Sequence, residues 1–367
     1  MFCNAYLLQS DLTRRPVLLG DVAHNAAASD GGPRADPKMS AKERNSAENL
    51  LLLCGRHHPD SDKREQLDLL TPDQVRRLKE EHERRVFEAT EAVRRPPTVL
   101  LRMQGHVRDA TVDLGVEAAT EAVLRSSNRF PELALSFDRR SVEIDLRQTA
   151  GEPDASLDYY SAAAARIDEV LGQRLRPAVE QGAVPHLSVF AFARFPLLVY
   201  LGARLDDSLD VDVFQRHRAS QNWVWPDLSE EEPQFVFRRD DPPGDRGSTD
   251  CEAVLIVNAT GTIHRQELPP AVAGLPVLII ELDGARHPDS VSSRAVRDSF
   301  ERALREMLGR LEQTDKSVRR LHVFAAAPVS VGITLGRAVG WGIHPDLLVY
   351  DRIGDQTYAP TLEITAP

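Results

Sequence analysis

Between Asp21 and Asp62 the chain gathers side chains suited to proton transfer and metal binding. They run Gly20-Asp21-Val22-Ala23-His24-Asn25, then Asp30-Gly-Gly-Pro-Arg34, then Glu48-Asn49, four leucines and Cys54-Gly-Arg-His57-His58-Pro-Asp-Ser-Asp62. Cys54 and His57, with two residues between them, have the spacing with which a tight turn presents two ligands to one zinc ion. His58 points elsewhere, because adjacent side chains diverge. Asp62 lies four residues further on, and the two would share a face if a helix begins there. One pair therefore suits a structural ion and the other a catalytic one. His24 offers different chemistry, since an imidazole can accept a proton from water at neutral pH. The alternative is a zinc knuckle that only binds DNA or a partner, with His24 a satisfied histidine.

The elements that must hold these residues are short. The first 70 residues are dense in Asn, Asp, Gly, Pro and His, with apolar runs only at 17–19 and 50–53, which predicts short strands and loops. From Thr71 the pattern turns helical: Thr71 suits the N-cap, Pro72 the first turn, and Val75, Leu78, His82 and Val86 recur at helical spacing. Pro96-Pro97 ends that helix. The expected division is 1–70 for the cluster, 71–97 for a connecting helix, and 98–367 for the rest.

The cluster resembles the HNH nucleases, whose ββα-metal fold places a His on the first hairpin, an Asn between, and a metal-ligating His on the helix. The resemblance covers about 60 residues. It implies that His24 is the general base, that Asn49 fixes the loop carrying it, and that His58 with Asp62 holds a catalytic Mg²⁺. Cys3, Cys54 and His57 would hold a structural Zn²⁺. Two departures stand out. Relatives often carry a metal-binding Asp or His directly before the base, where this chain has Ala23, with Asp21 a weaker substitute. Relatives also place two cysteines before the first strand, where only Cys3 is present.

Composition bounds the rest. At roughly 150 residues per domain, 367 residues imply two or three domains. Three cysteines, an odd number, fit a reducing compartment, and no apolar run is long enough to span a bilayer, so a cytoplasmic protein is expected. Net charge is −11. Residues 1–97 hold 16 basic and 16 acidic side chains, so the remainder carries the whole excess. A DNA-binding surface belongs in the first part.

Beyond residue 98, apolar strands alternate with helices, the mark of a parallel sheet covered on both faces. Strands are expected around 133–146 and at 187–192, 211–214, 254–257, 277–282, 321–325 and 347–350, with helices over 156–180 and 293–313. An acidic, Pro-rich break at 226–247 separates halves 98–247 and 248–367. Val189-Phe-Ala-Phe-Ala193 with Leu201-Gly202 is echoed by Val323-Phe-Ala-Ala-Ala327 with Leu335-Gly336, and the run from Asp210 by the run from Asp346. This region resembles the SAVED domain, two fused CARF-like Rossmann halves that sense cyclic oligonucleotides. The fold class expected is therefore α/β, with an α+β HNH module in front.

Ligands of open α/β sheets sit beyond the carboxyl ends of the strands. Arg194 and Phe195 end one such strand; Thr260, Gly261 and Thr262 follow another. Gln215 or Arg218 could read a base edge, and Trp223 and Trp225 either stack on a base or belong to the core. The order HNH then SAVED resembles the endonuclease effector of the anti-phage system CBASS. That resemblance implies a nuclease of double-stranded DNA, activated by a cyclic di- or trinucleotide and by ligand-dependent homo-oligomerisation, with no membrane partner. The alternatives are a restriction-type HNH nuclease recognising modified DNA, or a non-catalytic zinc-dependent binding protein.

Overall fold

The computed structural model describes residues 3, 7, 15, 17–107, 112, 114–131, 142–151, 156–205, 209–226, 232–240, 251–340, 342–353 and 357–365. The chain divides into two compact units, Met1–Arg94 and Arg95–Pro367.

In the first unit, β1 (Gly20–His24) and β2 (Leu50–Cys54) pair antiparallel, Gly20 opposite Cys54 and His24 opposite Leu50. Their connection carries α1 (Ala41–Arg44), which Ser40 and Glu43 close with a reciprocal capping box. Two short helices follow β2, α2 (His57–Ser61) and α3 (Arg64–Leu67), before the long α4 (Pro72–Arg94). Side chains alternate across the hairpin. Ala23, Leu51 and Leu53 are buried with Val75 of α4, whereas Val22 and Leu52 stay exposed. Because Val75 completes this core, the connecting helix belongs to the first unit. Among the described residues that apolar core is small.

The second unit holds two sheets of matched order. In the first, β3 (Pro97–Gln104) has β4 (Phe130–Pro131) and β5 (Val142–Asp145) on one edge, and β6 (Leu187–Phe192) then β7 (Val211–Val213) on the other, all parallel. In the second, β9 (Glu252–Asn258) has β10 (Val277–Leu282) on one side and β11 (Arg320–Ala326) then β12 (Asp346–Ile353) on the other, also parallel. Antiparallel strands β8 (Phe235–Asp240) and β13 (Thr357–Ile364) border the second sheet. Each half thus runs its second strand to one side of the first and its third to the other, the reversal that opens a crevice at the strand ends.

The connecting helices of the first half are α5 (Val116–Ser126), α6 (Leu157–Val170), which runs through a π-helical turn (Leu171–Leu175) into α7 (Arg176–Glu180), and α8 (Phe195–Arg204). In the second half they are α9 (Arg294–Gln313) and α10 (Val329–Ala338). The repeat seen in the sequence is therefore a structural one, β6–α8–β7 matching β11–α10–β12. Helices α8 and α10 cross at its paired glycines. A methyl group on Gly202 would fall on the Ile333 carbonyl oxygen, and one on Gly336 on that of Val199.

One boundary moves. β8 lies within the stretch expected to be a break, yet it pairs with β10, so the second half begins before residue 235. Phe235 anchors it against the Phe300 ring at 5.2 Å, while its exposed-edge residues Arg238, Arg239 and Asp240 give the segment its polar character. Of the strand region expected around 133–146, Val142–Asp145 is a strand and 132–141 lie outside the described residues.

Burial holds the imidazoles of His186 and His217 below their ordinary pKa. Histidines with depressed folded pKa values bind more protons unfolded, so their contribution is complete above the unfolded value, about 6.5, and is lost as pH falls below it. We expect the melting temperature of the second unit, followed by circular dichroism, to fall between pH 7.5 and 5.5. His186→Gln should flatten part of that slope; an unchanged slope in the variant would remove His186 from the account.

Candidate functional site

The hairpin and the turn after it assemble a metal-ligand cluster. Cys54 ends β2 and His57 opens α2, which sets the Cys54 Sγ 3.2 Å from His57 Nδ1. Cys3 brings its Sγ to 3.8 Å from that of Cys54. All three donor atoms lie within 4.8 Å of one another. Two thiolates about 2.3 Å from one tetrahedral zinc ion stand about 3.8 Å apart, so the spacing of the two sulfurs fits Zn²⁺. The backbone N–H of His57 is the largest cause drawing the Cys54 thiol down to about 7, toward the thiolate that binds metal. No fourth His, Cys, Asp or Glu joins the group among the described residues.

Asn49 is buried, and its side chain clamps the segment after β1. Its Oδ1 accepts from Ala26 N–H at 2.8 Å, and its Nδ2 donates to the carbonyls of Ala26 and Arg44, each at 2.8 Å. His24, at the end of β1, meets a residue that sequence reasoning missed: its Nε2 lies 3.2 Å from Asn45 Oδ1. Asn45 Nδ2 donates to Ala41 O, so Oδ1 accepts, which assigns the imidazole proton to Nε2 and leaves Nδ1 basic.

The expected pairing of His58 with Asp62 does not form. Asp62 is the C-cap of α2, and its carboxylate is engaged elsewhere, accepting from Arg34 at 2.6 Å. Arg34 also donates to the carbonyls of Asn25 and Ser61, stapling the segment after β1 to the end of α2. Its φ of 57° and its place in an irregular loop give no periodic signal. The carboxylate that does approach is Asp21, whose Oδ2 lies 3.4 Å from His58 Nδ1. Alternation along β1 sends Asp21 out with Ala23 and His24 with Val22, so base and carboxylate leave the strand on its two sides.

The expected ligand residues of the second unit have varied fates. Arg194 caps α8 at the end of β6, nearly buried, with Nη1 3.3 Å from Asp351 Oδ2 at the end of β12; Tyr160 donates to the same oxygen at 2.5 Å. Gln215, which the repeat matches to Asp351, also reaches across: its Oε1 accepts the backbone N–H of Ser330 at the start of α10. The two halves are thus tied reciprocally, once by charge and once by a neutral bond. Phe195 lies over Gly332 of α10. Arg218 is exposed, and its backbone N–H donates to Asp289.

Trp223 and Trp225 are not a stacking platform. Both are buried, Trp223 edge-on to Phe190 at 5.6 Å and Trp225 edge-on to His217 at 5.2 Å. Of the alternatives open in the sequence, the core is realised. Thr260, Gly261 and Thr262 form the turn after β9: Thr260 N–H donates to Ala326 O, Ile263 N–H to Asn258 Oδ1, and Arg286 to Thr262 Oγ1. A methyl on Gly261 would meet only Ala326 Cβ at 3.6 Å, so a side chain there would fit.

A family model described as the SMODS-associated and fused to various effectors sensor domain, SAVED, matches residues 167–364, more than half of the chain. This chain belongs to the SAVED family. The match begins within α6 and ends with β13, so it takes in both copies of the strand–helix–strand repeat. Comparison with curated proteins finds no match. Among solved structures, the chain is similar to the Acinetobacter baumannii Cap4 SAVED/CARF-domain containing receptor with the cyclic trinucleotide 3'3'3'-cAAA. Identity is 20%, coverage 64% of this chain and 50% of that one, and the TM-score 0.47. The same receptor with 2'3'3'-cAAA gives 17% identity, 73% and 52% coverage and a TM-score of 0.48. The Moraxella osloensis Cap4 receptor gives 17%, 63% and 48%, with 0.43. The SAVED chain described here spans about half the length of these receptors. No helix of its described residues is long and apolar enough to cross a membrane.

Proposed function

We propose that this SAVED protein is a cytoplasmic, metal-dependent DNA endonuclease, switched on by a cyclic di- or trinucleotide in CBASS anti-phage defence. The observation that carries the reading is the joining, in one chain, of a SAVED sensor to a unit that sets His24, clamped Asn49 and His58 around one hairpin. In the first unit, His24 Nδ1 takes the proton of a water whose oxygen attacks the phosphodiester phosphorus, and the bond to the leaving sugar oxygen breaks. Asn49 holds the segment that sets the imidazole's position. His58 is the ligand for a divalent ion such as Mg²⁺, which when bound supplies charge stabilisation at the scissile phosphate. Cys3, Cys54 and His57 hold the structural Zn²⁺.

In the sensor, the ligand lies at the carboxyl ends of the two sheets, beside the Arg194–Asp351 pair. Ligand-driven oligomerisation pairs first units, so that two single-strand cuts become a double-strand break. The test is plasmid digestion with Mg²⁺, with and without a panel of cyclic di- and trinucleotides. Cleavage with one ligand only supports the reading; cleavage without any supports a restriction-type nuclease, and none under any condition a binding module. His24→Ala should lower cleavage about 10²- to 10⁴-fold while ligand binding is unchanged. Equal loss of both would overturn the role given to His24.

A further inference from the structure

We infer that a phosphate of the sensor's ligand seats at the start of α10 and not at the matching start of α8, so the ring enters in one orientation. The inference rests on the sensor reading above and deepens it. The repeat sets the comparison. Gln215 matches Asp351, and Ser330, second in α10, matches Pro196, second in α8. Each side of the junction therefore holds one helix start and one polar side chain from the opposite half.

At α8 the proline removes one of the N–H groups with which a helix start meets an anion. The side chain brought there is the Asp351 carboxylate, which accepts from Arg194 and Tyr160, and it repels a second anion. At α10 the facing group is the neutral Gln215 amide, whose Oε1 accepts the Ser330 N–H. Pro328, the N-cap, has no side-chain acceptor, so no charge offsets the positive end of this ten-residue helix. Ser330 is wholly buried, yet its Oγ has no partner among the described residues. Trp225 Nε1 and His217 Nε2, on rings 5.2 Å apart in the segment after Gln215, are likewise buried and unpartnered. The hydroxyl, the indole N–H and the helix N–H groups are donors, and the imidazole nitrogen donates in one of its neutral tautomers. Buried donors without partners call for an acceptor-rich group, and in a cyclic nucleotide the anionic one is the phosphodiester. A phosphate oxygen on the Ser330 N–H turns Gln215 away, and one of the two bonds described across the junction is released.

The experiment is equilibrium binding of radiolabelled cyclic di- and trinucleotides of adenine and guanine, in each linkage, to the full chain. Thermal melting of every variant is followed alongside. Wild type should bind at least one member of the panel. Gln215→Glu, which still accepts the Ser330 N–H but adds negative charge, should weaken that ligand about tenfold or more. Ser330→Ala should weaken it about threefold or more, yet melt no lower than wild type, because a buried unpaired hydroxyl has been removed. Asp351→Asn should not weaken binding. Wild-type affinity in both Gln215→Glu and Ser330→Ala would overturn the phosphate seat and leave the sensor reading intact. Loss in Asp351→Asn alone would move the phosphate to α8 and overturn the orientation. Binding of no member of the panel by wild type would overturn this inference and the sensor part of the proposed function together.

Discussion

Removing zinc, by chelation or by Cys54→Ser, is expected to unfold the first unit while the second keeps its cooperative melt. The physical ground is the weakness of the alternatives. Apolar burial in the first unit centres on Ala23, Leu51, Leu53 and Val75, with Leu70 packed against them. Cores of that size seldom support a domain without a metal or disulfide. The Asn49 and Arg34 networks fasten loops, but each bond contributes only about 1 kcal/mol net. The proposed zinc ion on Cys3, Cys54 and His57 would tie the chain before β1 to the end of β2 and the start of α2. Binding free energy at such a site is folding free energy. Limited proteolysis with mass mapping checks this: cuts should appear within 17–70 on chelation and disappear when Zn²⁺ is restored. Protection that persists without zinc would show that the polar networks suffice.

Gly336→Val should destabilise the sensor by about 3 kcal/mol or more. The added carbon would fall on the Val199 carbonyl oxygen and 2.7 Å from the Ala203 nitrogen, both backbone atoms of α8. No rotamer change relieves a clash with backbone, so the helices must separate, and the two halves share one core across that crossing. The bonds from Arg194 to Asp351 and from Ser330 to Gln215 span the same junction and would lengthen with it. Gly309→Ala is the control. Gly309 lies in α9 with nothing within 4 Å of an added methyl, and the change should stabilise by about 0.5–1 kcal/mol. Thermal or urea denaturation of the two variants decides. Equal effects would mean that the crossing tolerates separation.

Much of the second unit was legible because its signals are local. Strands at 187–192 and 277–282 are buried on both faces, so each reads as an apolar run with one polar residue, Ser188 or Glu281. The repeat survives in short blocks because matching strands and the crossing glycines meet the same packing demands in each half. β8 escaped notice because only its first residues meet the core, and the charged remainder reads as a break.

The candidate site divides along the same line. Sequence spacing placed the Cys54 and His57 pair, because two side chains on one turn need no distant contact to meet. It also marked His24, Asn49 and His58 as polar groups beside short strands, and the two-part sensor behind them. The tertiary structure set which carboxylate meets His58, because that depends on hairpin register and on Arg34 engaging Asp62. It decided that Trp223 and Trp225 face inward, since alternation states that they point the same way but not toward what. It also placed Asp351 and Gln215 across the junction of the halves. Contacts between residues far apart in the chain depend on register and packing, and neither leaves a mark in local spacing.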